Sequence, residues 1–252
     1  MTRPEYAALL RADTDRLLHV ADGHFDRPVP TCPGWTVERL VGHVGRVHRR
    51  AAAWLTTAGG EVGASGATGN VTEIEQPPGS ESLVDWVRRG LDELLAAQDA
   101  ADPEQTVETW DGPRHSAFWV RRMAVETALH RVDGESAVGA PTPIDAALAV
   151  DGVDELFEVI IPHRGTGELR RGGETVHLHA TDPDLGEGLG EWLIVLGADA
   201  VTVEHTHAKG DVAVRGSASD LLLLLWNRVD SAGLEVFGDR AILERWRSAV
   251  TV

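Results

Sequence analysis

A chain of 252 residues with 42% hydrophobic and 25% charged residues has an ordinary globular composition, long enough for one large domain or two modest ones. Forty acidic residues against 23 basic ones give a formal net charge of −17, which argues against a nucleic-acid partner and against an anionic membrane surface. The single cysteine, Cys32, leaves no intrachain disulfide to form, Met1-Thr2-Arg3-Pro4-Glu5 lacks the apolar stretch of a signal peptide, and the apolar run Leu221 to Trp226 is too short to span a bilayer, so a cytoplasmic protein is expected.

Tyr6, Leu9, Leu10, Leu17 and Leu18 recur at helical spacing and predict an amphipathic helix over 4–22. Pro28 to Pro33 then force extended, turn-rich chain. Thr36 is the expected N-cap of a second helix running to about Leu55, with Val37, Leu40, Val41, Val44, Val47 and Ala51 on its apolar face and His43 on the edge of that face. Ala58 to Pro78, rich in Gly, Ala and Thr and without a period, reads as a loop. Ser80 is the expected cap of a third helix to about Ala100, with Leu83, Trp86, Val87, Leu91, Leu94 and Leu95 facing inward. After a loop holding Pro103, Gly112 and Pro113, a fourth helix is expected from about Ser116 to Asp133. Its stripe of Trp119, Met123, Glu126 and His130 is apolar at one end and ionisable at the other.

Gly134 to Pro143 reads as a linker. Beyond it the pattern changes to a helix over about 144–161, then half-buried strands at 174–180, 191–196, 200–207 and 211–214. A helix over about 217–229, a short strand at 234–237 and a last helix opened by Gly238-Asp239 and ending near Ala249 complete the chain. The expected fold class is therefore α followed by α+β: a four-helix bundle over residues 1–137, then a smaller α+β domain over 144–252 with a mostly antiparallel sheet.

Glu126 and His130 are four residues apart and share one helix face; with His43 from a second helix they can hold a divalent metal and leave a coordination position open. The same residues also fit a hydrogen-bonded core histidine beside a surface pair. Asp133 suits either a partner that orients a ligating His130 or a surface charge, and Cys32 either a nucleophile or ligand or a small residue packed beneath Trp35. His177-x-His179 and His205-x-His207 each put two imidazoles on one strand face. With no acidic or cysteine partner at convincing spacing, they read as a solvated sheet face or cross-strand pairs rather than a second metal site. Gly172-Gly173 and Gly186-x-Gly188-x-Gly190 lack the strand-turn-helix context of a phosphate loop and read as turns.

Pro33-Gly34-Trp35-Thr36 with Leu40-Val41-x-His43, then Trp119-x-Arg121-Arg122 and Glu126-x-x-x-His130-x-x-Asp133, resembles the DinB-like metal-binding helix bundles and, more closely, the mycothiol-dependent maleylpyruvate isomerase family. Gly216 to Leu221, Trp226-Asn227-Arg228 and Val236-Phe237-Gly238-Asp239 are similar to that family's C-terminal domain, itself like the sterol carrier proteins. The resemblance covers nearly the whole chain except the loop at 58–78. It implies zinc, or another divalent metal, on His43, Glu126 and His130, and mycothiol as thiol cosubstrate. It also implies a catalytic arginine from the C-terminal domain, Arg228 by first choice and Arg215 by second. Two neutral imidazoles and one carboxylate leave a divalent site at +1, which a thiolate neutralises, and coordination favours the thiolate at neutral pH. Such a thiolate adds to an activated double bond, allowing rotation and trans elimination, or displaces a leaving group. The implied partners are a small thiol and a small anionic or electrophilic substrate. A small-ligand-binding protein with a structural metal and a metal-dependent hydrolase are the competing readings.

Overall fold

Local sequence sets the helix boundaries in the first half of the chain. In a computed structural model describing residues 1–56, 77, 81–164, 167–169 and 171–250, the chain divides into two units, Met1–Thr142 and Pro143–Val252. The first unit opens with α1 (Arg3–Ala21), where the Glu5 carboxylate accepts the Thr2 backbone N–H at 2.6 Å and so satisfies a donor that the helix leaves open. In α2 (Val37–Thr56), Thr36 Oγ1 accepts the Arg39 N–H at 3.3 Å, as the sequence leads one to expect. The third helix, α3 (Leu83–Ala100), is capped by Ser82, which accepts from the Asp85 N–H at 3.1 Å; the expected cap, Ser80, and nearly all of the expected loop at 58–78 lie outside the described residues. A short antiparallel pair, β1 (Thr106–Val107) and β2 (Arg114–His115), precedes α4 (Ala117–Ala137) and has no counterpart in the sequence reading.

The four helices bury Leu10, Leu17, Leu40, Val41, Val44, Leu91, Leu94 and Leu129 between them. Trp54, Trp110 and Trp119 add an edge-to-face aromatic cluster, with Trp54 and Trp119 ring centroids 4.7 Å apart and Trp110 and Trp119 5.3 Å apart. The fourth helix runs past Asp133, so Gly134 does not begin a linker. A Cβ on Gly134 would stand 2.6 Å from Leu17 Cδ1, so the missing side chain lets α1 and α4 approach closely. That contact offsets the roughly 1 kcal/mol a glycine costs inside a helix.

The second unit begins with α5 (Ala146–Glu155), capped by Asp145, which accepts the Leu148 N–H at 3.1 Å. It continues through a π-helical stretch, Leu156–Ile160, into α6 (Ile161–Arg164). A five-stranded sheet follows from β3 (Glu174–Ala180), β4 (Glu191–Leu196), β5 (Val201–Glu204), β6 (Val212–Gly216) and β7 (Glu235–Gly238). Its order is β5-β4-β3-β6-β7, antiparallel except where β3 meets β6. The remaining helices are α7 (Ala218–Leu225) and α8 (Arg240–Ala249). Val176, Leu178, Ile194, Leu224, Leu225 and Trp246 share one apolar core, and strand alternation sends His177, His179 and Glu191 to the opposite face.

Two boundaries depart from expectation. The strand read over 200–207 ends at Glu204, so His205 and His207 leave the sheet and do not share a strand face. The helix read over 217–229 ends at Leu225, because Asn227 adopts the left-handed conformation (φ 57°) that stops helices, and Arg228 lies beyond it. No helix among the described residues is long and apolar enough to cross a membrane.

Charge is buried between α1 and α4. Arg131, only 1% exposed, meets Asp13 Oδ1 at 3.0 Å and Glu135 Oε2 at 2.8 Å, and Arg16 meets Glu135 Oε1 at 2.9 Å. Burial pushes the Asp13 carboxyl up, with Arg131 pulling it back. Arg131→Met removes the cation and leaves carboxylates buried against an apolar stem. It should cost about 3–5 kcal/mol, read as a lowered midpoint in urea unfolding with an unchanged slope.

Candidate metal centre

Trp35 is placed by a tight turn. Cys32-Pro33-Gly34-Trp35 closes with the Trp35 N–H donating to Cys32 O at 3.0 Å, and Gly34 sits at φ +80°. Proline second and a left-handed glycine third is the pattern of a type II turn. Trp35 O accepts the Val29 N–H at 2.9 Å and Val37 donates to Arg27 O at 2.9 Å, so the segment doubles back directly into α2. The Trp35 ring then packs at 5.1 Å from His43 and 6.3 Å from His130, centroid to centroid, while the two imidazoles meet edge-on at 4.9 Å.

Glu126 links those imidazoles. Its Oε1 lies 3.1 Å from His43 Nε2 and 3.3 Å from His130 Nε2, and its Oε2 pairs with Arg122 one turn earlier on α4. Burial works against the charge of Glu126, but Arg122, His130 and His43 outweigh it and hold the carboxyl well below the usual range. Burial lowers the pKa of His43, with Glu126 opposing. For His130, burial is outweighed by Asp133, Cys32 and Glu126, which raise its pKa well above the ordinary imidazole value.

Asp133 orients the set. It is fully buried, and its Oδ2 lies 2.8 Å from His130 Nδ1, so that nitrogen is the donor and Nε2 faces Glu126. Thr31 Oγ1 donates to Asp133 Oδ1 at 2.5 Å and Cys32 Sγ to Oδ2 at 3.4 Å. Cys32 is therefore engaged at the carboxylate behind His130, not merely packed beneath Trp35. Thr31 escapes a reading by motif, and Arg122, part of the Trp119-x-Arg121-Arg122 motif, has no role there until its partner Glu126 is seen. Arg122 has a local signal, its i,i+4 spacing to Glu126; Thr31 has none, since its partner lies 102 residues away.

The three ligand atoms of His43, Glu126 and His130 lie within 4.8 Å of one another. A tetrahedral ion with bonds of 2.0–2.1 Å separates its ligand atoms by about 3.3 Å. The 3.1 and 3.3 Å separations from Glu126 Oε1 are close to that edge, so the donor set and these two spacings are compatible with a zinc-class ion. The arginines singled out in the sequence belong to the second unit. Arg215 pairs with Glu235 at 3.0 Å, while Arg228 donates to Trp226 O at 2.8 Å and places its guanidinium 5.7 Å from the Trp226 ring.

The model of the mycothiol maleylpyruvate isomerase N-terminal domain matches residues 7–134, and that of the family's C-terminal domain matches residues 147–245. The chain belongs to the mycothiol-dependent maleylpyruvate isomerase family. The crystal structure of a mycothiol-dependent maleylpyruvate isomerase superposes with a TM-score of 0.63 at 16% identity, over 94% of this chain and 93% of that one. A histidine-to-alanine mutant of that enzyme gives 0.62 at 15% identity with the same coverage. At such identities the likeness is one of fold. Two uncharacterized proteins of Mycobacterium tuberculosis, from strains H37Rv and CDC 1551, are each 31% identical over 155 residues. The match covers 55% of this chain and 58% of the length of those relatives.

The geometry makes Asp133 the support of the His130 side of this cluster. Asp133→Ala leaves Thr31, Cys32 and His130 without their common acceptor. It should lower stability by about 2–3 kcal/mol in urea unfolding. It should also change the ring-nitrogen NMR signature of His130, whose Nδ1 loses the Asp133 carboxylate. An unchanged His130 signature would detach Asp133 from the site.

Proposed function

We propose that this chain is a zinc-dependent, mycothiol-dependent enzyme acting on a small electrophilic substrate, as a maleylpyruvate-isomerase-like cis–trans isomerase or a thiol S-transferase. The observation that carries the reading is a single carboxylate oxygen, Glu126 Oε1, placed 3.1 and 3.3 Å from two imidazole nitrogens on different helices. His43, Glu126 and His130 would hold the ion. Bound there, a divalent metal supplies the Lewis acidity that makes a thiol acidic enough to react as a nucleophile near neutral pH.

The chain's own residues prepare for that chemistry. Arg122 occupies Glu126 Oε2 and leaves Oε1 to face the imidazoles. Asp133 accepts the Nδ1–H of His130, so Nε2 is the nitrogen that would offer a lone pair once an ion takes the place of its proton. The Trp35 ring covers one side of both imidazoles and limits water there. Cys32 Sγ lies 3.4 Å from Asp133 Oδ2, behind His130, which supports a reacting thiol supplied from outside the chain. A guanidinium from the second unit, Arg228 first and Arg215 second, would hold a substrate carboxylate or polarise a carbonyl, since a planar fork matches a carboxylate.

Turnover of maleylpyruvate should therefore require added mycothiol. Cys32→Ser should keep most of that activity, and His130→Ala should lose both activity and one equivalent of zinc by elemental analysis. Full turnover without thiol, or complete loss in Cys32→Ser, would reject an external nucleophile; equal zinc in wild type and His130→Ala would reject the ligand set.

Arg228→Ala should cut kcat/KM by two to three powers of ten with zinc retained, on the order of 2–4 kcal/mol in the transition state by analogy with loss of one oxyanion donor. Arg228→Lys should recover only part. Near-normal turnover in Arg228→Ala moves the role to Arg215, and near-normal turnover in the double variant removes the second unit from the chemistry.

A further inference from the structure

A second convergence of imidazoles lies wholly within the second unit and shares no residue with the His43 cluster. The β3–β4 register sets His179 opposite Glu191 and His177 opposite Leu193, so both histidines and the carboxylate occupy the sheet face away from the apolar core. Glu191 Oε2 lies 2.7 Å from His177 Nε2, and Oε1 lies 2.9 Å from His207 Nδ1 and also meets His179 Nδ1. The His177 and His207 rings stand edge-on at 5.0 Å, and those of His179 and His207 at 5.7 Å. His205, its neighbour in sequence, turns instead toward Asp154, 3.7 Å away.

His207 reaches this face because its loop is fastened to β3 just beyond it. The Asp211 carboxylate accepts both the backbone N–H and the hydroxyl of Thr175 at 2.8 Å, and the Asp211 N–H donates back to Thr175 Oγ1 at 2.9 Å. Gly210 lies so close to β3 that a Cβ there would stand 2.8 Å from His177 N. Any side chain at 210 would push the loop, and His207 with it, away from the cluster. Solvated strand histidines have no reason to converge, yet His177 is only 5% exposed and aims at the same carboxylate as the other two.

We propose that His177, Glu191 and His207 form a second divalent-metal site of the zinc class, with His179 orienting the carboxylate. Their ligand atoms lie within 4.8 Å of one another, and an imidazole-rich set with one carboxylate is the donor chemistry of zinc and its neighbours in the transition series. The present separations are those of hydrogen bonds, so on binding the ring protons that face Glu191 would pass to the rings' other nitrogens or to solvent, and the set would widen by a few tenths of an ångström. Three protein donors leave a fourth position of a tetrahedral ion to water or a small ligand, and the largely exposed His207 marks the solvent side. Bound metal would fasten the 205–211 loop across β3 and β4.

The test uses the untagged full chain with zinc alone as probe. A His43→Ala/His130→Ala variant removes the first cluster whether or not that cluster binds metal. By isothermal titration it should still take up one equivalent of zinc. Adding His207→Ala or Glu191→Gln should weaken that uptake by at least about a hundredfold, more than the loss of an orienting partner costs. In the wild-type chain, zinc should shift the ring-nitrogen NMR signals of His177 and His207, a readout that needs no variant to fold. Absence of zinc uptake in the double variant, uptake unaffected by both added substitutions, or unshifted His177 and His207 signals would overturn the proposal. None of these outcomes bears on the His43 cluster, so the two readings fail separately.

Discussion

A carboxylate with no solvent exposure has to find all its partners inside the protein, and Asp133 finds them on both sides of the first unit. From the loop before α2 come Thr31 and Cys32; from its own helix comes His130. The loop can reach Asp133 only because the Cys32–Trp35 turn folds it back, and His130 can reach it only because three residues of helix bring the two side chains onto one face. The geometry at Glu126 follows. Once Nδ1 of His130 is committed to Asp133, its Nε2 points to the carboxylate that His43 approaches from α2.

The two oxygens of Glu126 divide their work in the same spirit. One is neutralised by Arg122 and the other is shared by imidazoles. A single buried carboxylate would be costly to keep charged, and a doubly neutralised one would have nothing to offer an ion. Arg122 makes the charge tolerable at one oxygen without consuming the other. In Trp119-x-Arg121-Arg122 it is thus Arg122 that contributes to the cluster, through its ion pair with Glu126 Oε2.

Much of this was legible in the chain. The i,i+4 spacing of Glu126 and His130, the Thr36 cap and the Pro33-Gly34 turn are local signals, and so are the alternations that bound β3 and β4. What failed was either punctuation or register. Gly134 reads as a break because glycine usually is one, but here it is the place where α1 and α4 touch. Asn227 ends a helix whose apolar run promises four more residues, since a left-handed residue stops a helix whatever follows. Glu191 stands across from His179 only after two strands have paired, and no spacing along the chain records that. Thr31 is invisible for the same reason.

The π-helical stretch Leu156–Ile160 between α5 and α6 carries a record of a different kind. A π turn holds one residue more than the α turn on either side of it, so it absorbs an insertion without displacing what flanks it. Each residue added to a regular helix would otherwise rotate everything downstream by about 100°. Here Leu156, Val159, Ile160 and Ile161 all remain buried through the stretch. A chain one residue shorter between Glu155 and Ile161 could therefore run as uninterrupted α-helix with both flanks still facing the core.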